Sequence, residues 1–247
     1  MTANTAPEVS VVVPAYREAA RIAASCAEIL RFFDAAAVSC EVIVADDGSD
    51  DGTAEAAFAA AAEDARVRLV SLAPHKGKGA ALRAGILASA GRLVLMIDAD
   101  LAIPLEEFPA FAAAARSADV VIASKELGRR DGLVTQPFLR ALSGRVFNLA
   151  VRLLVVPGFL DTQAGFKLFR GDVARRLASQ SVVDGFAGDV ELLALARRAG
   201  LAIVELPVHC RLRTRTSVRL TRDSLRMLRD LIGIRNRLAA GRKSRNA

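Results

Sequence analysis

Five short apolar runs rich in β-branched residues, with helix-patterned stretches between them, restrict this chain to an α/β fold. Val9-Ser-Val-Val-Val13 ends at Pro14, the pattern of a strand buried on both faces. Arg17 to about Phe33 follows, with Ile22, Cys26, Ile29 and Phe33 spaced for one helical face. Further strands are expected over Glu41–Ala45, Val67–Leu72, Arg92–Ile97 and Val120–Ser124. Helices over Thr53–Glu63, Lys78–Ala90 and Glu106–Arg116 separate them, the first capped by Asp50 or Asp51. Such alternation implies a mostly parallel sheet with helices on both faces.

Beyond Ser124 the alternation lapses into a polar segment to Gln136 and a helix-like stretch from Pro137 to Val155. Asp161–Arg170 reads as a Gly-containing turn and short strand, Gly188–Ala199 as a helix and Leu201–Leu206 as a last strand. Charge divides the chain at the same place. The formal net charge is +7, but residues 1–210 hold 22 basic and 25 acidic side chains, and residues 211–247 hold 12 and 2. One domain over residues 1–210 is therefore expected, followed by a basic segment over 211–247 with an amphipathic helix at about 221–239.

Other classes fall away. Cys26, Cys40 and Cys210 are odd in number and lack C-x-x-C spacing, which argues for a reducing compartment and against a disulfide framework or zinc site. With His75 and His209 alone, a histidine-based metal centre is not expected. The N-terminus lacks a signal-peptide pattern, and no apolar run reaches the roughly 18 residues of a spanning helix. A cytoplasmic protein that visits a membrane fits these features.

Ligands of open α/β sheets bind beyond the carboxyl ends of the strands. Three strands end there in polar groups: Pro14-Ala-Tyr-Arg-Glu18, Asp46-Asp47-Gly48-Ser49 and Asp98-Ala99-Asp100. Asp98 and Asp100 alternate, so their carboxylates should converge, and no basic residue lies nearby in sequence to pair them. Hard oxygen ligands suit Mg²⁺ or Mn²⁺, which commonly share phosphates with a substrate. His75-Lys-Gly-Lys-Gly79 brings positive charge to a helix start, where backbone N–H groups also favour anions. It is not a Walker loop, and no G-x-G-x-x-G follows the first strand. Lys76 reads as a surface lysine.

In order, V-V-V-P-A-Y-R-E (11–18), V-A-D-D-G-S-D-D-G-T (44–53), K-G-K-G-A-A-L-R-A-G (76–85) and M-I-D-A-D-L (96–101) resemble family 2 glycosyltransferases of the GT-A fold. D-T-Q-A-G-F-K-L-F (161–169), G-D-V-E-L-L-A-L-A (188–196), I-V-E-L-P-V (203–208) and D-S-L-R-M-L-R-D-L-I-G-I-R (223–235) resemble dolichyl-phosphate glucosyltransferases and their polyprenyl-phosphate relatives. The resemblance implies that Pro14, Ala15, Tyr16, Glu18, Asp46, Asp47, Lys78, Asp98 and Ala99 hold the nucleotide-sugar. Asp98 and Asp100 become the D-x-D pair, with Asp100 the firmer ligand for Mg²⁺ or Mn²⁺. Lys125, Arg140, Ser143, Arg213, Ser217 and Arg219 fall to the acceptor phosphate, and Asp161 and Gln163 to an active-site loop.

The chain departs from the family pattern at Ala102, where related mannosyltransferases carry Gln, and at Lys125, where Arg is usual. A lysine replaces a bidentate fork by a point charge. The reaction implied is inverting transfer of a hexose from UDP-glucose, or from GDP-mannose, to dolichyl or polyprenyl phosphate. Such an acceptor is already anionic and requires no strong base; Asp189 and Glu191 stand where many inverting relatives place one, and either a positioning or a helix-start role fits them.

From Asp223 onward, Leu225, Leu228, Leu231 and Ile232 form an apolar stripe among arginines. This helix lies on an anionic membrane, on the cytoplasmic face, or packs against the domain with its arginines solvated, or does both. A nucleic-acid role lacks interleaved aromatics and a reading motif, so nucleic acid is not expected as a partner. A nucleotidyltransferase, a non-catalytic nucleotide-binding domain and transfer to a soluble or cell-envelope glycan acceptor are the remaining rivals.

Overall fold

Valines 9, 11, 12 and 13 are wholly buried, and the strand they build, β1 (Val9–Ala15), runs in the interior of the sheet. The structure is a computed structural model that describes residues 6–133, 151, 155, 158–211 and 220–243. The other strands are β2 (Cys40–Asp46), β3 (Val67–Ser71), β4 (Leu93–Ile97), β5 (Val120–Ser124), β6 (Phe166–Arg170) and β7 (Ile203–Pro207). They form one sheet in the order β3-β2-β1-β4-β6-β5-β7. Only β6 is antiparallel to its neighbours, β4 and β5. The interior strands β1, β2, β4 and β5 are apolar because both faces are covered. The edge strands β3 and β7 retain exposed positions.

Among the described residues, the helices are α1 (Ile22–Ala35), α2 (Thr53–Glu63), α3 (Lys78–Leu87), α4 (Phe108–Ala114), α5 (Lys125–Arg130), α6 (Gly171–Gln180), α7 (Gly188–Arg198) and α8 (Leu220–Lys243). Ile22, Cys26, Ile29 and Phe33 of α1 and Phe108 and Phe111 of α4 pack on one sheet face with Val11, Val13, Val42, Val44 and Leu95. Leu82 and Ile86 of α3, Leu177 of α6 and Leu192 and Leu193 of α7 cover the other face, on Val12, Val94 and Ile122. Each large side chain buried in this way stabilises the fold by about 1.5–3 kcal/mol.

Three helical segments depart from the sequence reading. The polar segment after Ser124 begins with α5, started by Ser124 Oγ accepting from Leu127 N at 3.2 Å. Gly171–Gln180 is α6, which the sequence reading passed over, although Val173, Ala174, Leu177 and Ala178 form a single buried stripe. The expected helix over 106–116 is a 3-10 turn, Leu105–Glu107, followed by the short α4. Most of the 137–155 segment lies outside the described residues.

The C-terminal helix α8 lies against the domain. Leu231 and Ile234 are buried with Val183, Val190 and Ala194. Its opposite side leaves Leu228 and Ile232 exposed. Among the described residues, no helix is long and apolar enough to cross a membrane.

Candidate active site

The carboxyl ends of β1, β2 and β4 place Pro14, Ala15, Asp46, Asp47 and Asp98–Asp100 along one edge of the sheet. Because β6 runs the other way, it starts at this same edge, with Phe166 opposite Ile97. Lys78 and Asp189, in the first turns of α3 and α7, complete the set.

Asp47 is 2% exposed and organises its surroundings. Its Oδ1 accepts from Lys76 N at 2.8 Å and its Oδ2 from Gly77 N at 2.7 Å, while His75 Nδ1 lies 2.8 Å from Oδ2. The His75 ring stacks on Tyr16 at 4.1 Å. Asp46 Oδ2 accepts from Ser49 N at 3.3 Å, and Asp46 Oδ1 is buried without a partner. Asp50 forms a fork with Arg17, whereas Asp51 Oδ1 accepts from Thr53 N at 3.1 Å at the start of α2. Burial raises the Glu18 pKa above the ordinary carboxylate value; Arg21 opposes this, and Asp100, Asp51 and Asp98 add to it.

Asp98 finds in α3 the basic partner that its own stretch of sequence lacks. Lys78 Nζ donates to Asp98 Oδ1 at 2.7 Å, across 20 positions of sequence. Burial would depress the Lys78 ammonium, but attraction to Asp98 and then Asp189, with the hydrogen bond, holds its pKa above the usual lysine value. Burial would likewise raise Asp98, yet the Lys78 charge and hydrogen bond, helped by Lys167 and Lys125, keep it below the usual carboxylate value. A second pair lies behind the first. Lys167 Nζ donates to Asp189 Oδ2 at 2.9 Å and to the Ala164 carbonyl at 2.7 Å, with the two side chains 1% and 4% exposed. Asp189 Oδ1 is buried without a partner and borders a small cavity of about 10 Å³ with Pro14, Lys78, Asp98 and Lys167.

Asp100 Oδ1 accepts from Ala102 N at 3.0 Å, and Leu101 between them is held at φ 47°. A left-handed leucine is strained, and the tight turn that imposes it fixes Asp100 beside Asp98. Ala99 is 4% exposed, with its carbonyl accepting from Ser25 Oγ at 2.6 Å. Among the described residues, no group of three or more His, Cys, Asp or Glu could hold a metal ion by itself. Asp98 and Asp100 would supply only two carboxylates, so an ion such as Mg²⁺ or Mn²⁺ held there would have to take its other ligands from substrate phosphates and water.

Asp161 is buried, and its Oδ2 accepts from Lys125 N at 3.1 Å and lies 3.8 Å from Lys125 Nζ. Asp161 Oδ1 accepts from Gln163 N at 3.0 Å, while Gln163 Nε2 is a buried donor without a partner. Glu205 of β7 holds the same loop, accepting from Asp161 N at 2.8 Å. The sequence reading missed Lys167 and Glu205. A single charged residue inside the apolar run Phe166–Phe169 is the signal that marked Lys167. His209 bonds locally, its Nδ1 2.7 Å from Glu107 Oε1. Arg140, Ser143, Arg213, Ser217 and Arg219 lie outside the described residues.

Comparison with known proteins places this arrangement. A dolichyl-phosphate beta-glucosyltransferase from Dictyostelium discoideum is 32% identical over 251 residues, covering 94% of this chain and 75% of that protein. The human protein of that name is 33% identical over 216 residues, 82% of this chain and 67% of its own length. The Drosophila melanogaster protein is 34% identical, and the chain spans 66% of its length. Among solved structures, glucosyl-3-phosphoglycerate synthase from Mycobacterium tuberculosis with phosphoglyceric acid superposes at a TM-score of 0.70 and 25% identity, over 93% of this chain and 80% of that one. Its complex with Mn²⁺ and UDP-glucose, at 24% identity and a TM-score of 0.66, covers 93% of this chain and 79% of that one and shares the fold. The sheet and its flanking helices are thus of the GT-A type. The family model for glycosyl transferase family 2 matches residues 10–177, and this chain belongs to that family.

Proposed function

We propose that this glycosyltransferase moves a hexose, glucose in the first instance, from a nucleotide diphosphate sugar to dolichyl or polyprenyl phosphate with inversion at the anomeric carbon. The observation that carries the reading is the Lys78–Asp98 ion pair at the carboxyl edge of the sheet, with Asp100 in the turn that follows and the Lys125 charge of the Asp161–Lys125 pair acting on Asp98. Identity of 32–34% to proteins named dolichyl-phosphate beta-glucosyltransferases supports the acceptor class and the sugar.

Pro14, Ala15, Tyr16, Glu18, Asp46, Asp47, Lys78, Asp98 and Ala99 form the proposed donor side. Asp47 serves it indirectly, by fixing the turn that carries His75 and Lys78. Asp98 and Asp100 would hold Mg²⁺ or Mn²⁺, and a bound ion would offset negative charge on the departing diphosphate. Lys78 keeps Asp98 ionised and oriented. Lys125, with Arg140, Ser143, Arg213, Ser217 and Arg219, would hold the acceptor phosphate. Its oxygen is a competent nucleophile at neutral pH, so the chain needs to place charges more than it needs to abstract a proton. Asp189, already paired with Lys167, fits a positioning role in that scheme.

The acceptor's hydrocarbon tail stays in a bilayer, and α8 offers a surface for meeting one from the cytoplasmic side. Leu228 and Ile232 are exposed one turn apart, with Arg229 and Arg235 exposed near them. Apolar residues flanked by arginine suit an anionic lipid surface.

Incubation with a panel of UDP- and GDP-sugars, polyprenyl phosphate and Mg²⁺ or Mn²⁺ tests the reading. Release of nucleoside diphosphate together with a glycolipid is expected, with UDP-glucose the best donor. Asp100→Ala should lower turnover by at least about 10²-fold. Absence of a glycolipid, or full activity of Asp100→Ala, overturns it.

A further inference from the structure

Glu191 stands two residues after Asp189 on α7, and its buried carboxylate ties three elements together. Its Oε2 accepts from Ser181 Oγ at 2.9 Å, Val182 N at 2.8 Å and Val183 N at 2.7 Å. Its Oε1 accepts from Arg237 Nη2 of α8 at 2.8 Å. The carboxylate is 4% exposed and the guanidinium 48%. Arg237 is thus a surface side chain that neutralises a buried charge, and removing it leaves that charge only neutral donors.

The loop held in this way reaches the donor side directly. The carbonyl of Asp184 accepts from Gly79 N at 2.8 Å and Ala80 N at 3.1 Å, in the first turn of α3. Backbone meets backbone here. A Cβ on Gly77 would lie 2.4 Å from Asp184 O, and one on Gly79 would lie 2.3 Å from Val183 O. Gly77 also has φ 129°, open to glycine and rarely to other residues. Lys78 sits between these two glycines, so its backbone is clamped against loop 181–185 while its ammonium reaches Asp98. Arg83 of α3 bonds Asp184 Oδ1 at 2.5 Å and adds a side-chain tie.

We infer that Glu191 and Arg237 are positioning residues for Lys78, so that docking of α8 sets the lysine that orients Asp98. The contacts run without a gap from Arg237 to Glu191, to Val182 and Val183, to the Asp184 carbonyl, to Gly79 and to Lys78. Only the consequence for the donor rests on the function proposed above; the mechanical link stands on the contacts themselves.

The test compares Arg237→Ala, Arg237→Lys and Glu191→Gln with Arg92→Ala, an exposed arginine that pairs with Glu8. Amide exchange by NMR reads the link without any turnover. In Arg237→Ala, protection at Gly79 and Ala80 should fall by about tenfold while β1 and β2 keep theirs. Affinity for UDP by calorimetry, and KM for UDP-glucose, should weaken by about 3- to 10-fold with kcat less affected. Arg237→Lys should recover part of both effects, Glu191→Gln should reproduce them, and Arg92→Ala should show neither. Unchanged exchange at Gly79 and Ala80 in Arg237→Ala overturns the inference, as does loosened exchange with unaltered UDP affinity. A wild-type chain that makes no glycolipid overturns the proposed function instead, and the exchange result still decides the link.

Discussion

Gly165 faces Asp98 so closely that a Cβ on the glycine would lie 1.8 Å from Asp98 Oδ2. The two residues are also joined by Asp98 N donating to the Gly165 carbonyl at 3.1 Å. The residue that leads into the antiparallel strand β6 therefore supplies the space that the aspartate occupies. Gly165→Ala must displace the carboxylate that carries the bond to Lys78. Turnover should drop about 10²-fold, the effect of misplacing a reacting group by roughly an ångström. The circular dichroism spectrum should be unchanged. Full activity in this variant would remove Asp98 from the working site.

The pair Lys167–Asp189 lies deeper and has a different expected signature. Lys167→Met leaves the Asp189 carboxylate buried without its hydrogen-bonded cation and should destabilise the fold by about 3–5 kcal/mol. Adding Asp189→Leu removes the stranded charge and should restore more than half of that loss. Urea unfolding midpoints of the two variants measure this. Equal stability of single and double variants would mean that the pair is not coupled.

At the opposite edge of the sheet, Glu41 provides a pH-dependent test remote from the site. Burial pushes its pKa up, but bonds from Ser10 Oγ at 2.6 Å, Ala90 N at 2.8 Å and Arg68 at 2.9 Å outweigh burial and lower it. A carboxylate with a lowered native pKa adds stability in full above its unfolded value, about 4.3, and loses it as pH falls through the native value. Glu41→Gln should thus cost about 1–3 kcal/mol at pH 7 and less at pH 3, below the unfolded value. A cost that is the same at both values would contradict the ionised network.

How much of this was legible in the sequence depended on the distance over which each feature is decided. The run Val9–Val13 marked a central strand because burial on both faces is written in consecutive residues. Asp98 and Asp100 marked a strand end for the same local reason. The Lys78–Asp98 bond was not legible, because it requires α3 to return across β2 and β1 before the two side chains meet. The antiparallel course of β6 was hidden too, since periodicity within a strand carries no direction. Lys167 was the accessible miss: one cation among Phe166, Leu168 and Phe169 must either break the strand or find a buried anion. Helix α6 was equally accessible, since Val173, Ala174, Leu177 and Ala178 carry a helical period.

The last test concerns the face of α8 turned away from the domain. Leu231 and Ile234 are committed to packing, at 0% and 1% exposure, whereas Leu228 and Ile232 are 41% and 47% exposed. Replacing the exposed pair with serine should therefore leave stability within about 0.5 kcal/mol of wild type. If this face meets the lipid surface, the same change removes about 2–4 kcal/mol of apolar burial from the membrane-bound state. Sedimentation with vesicles containing phosphatidylglycerol should then show at least about a tenfold loss of binding. Transfer to polyprenyl phosphate in vesicles should fall in step, while transfer to a short-chain, water-soluble analogue should be preserved. Vesicle binding that survives Leu228→Ser with Ile232→Ser would assign membrane contact to another part of the chain.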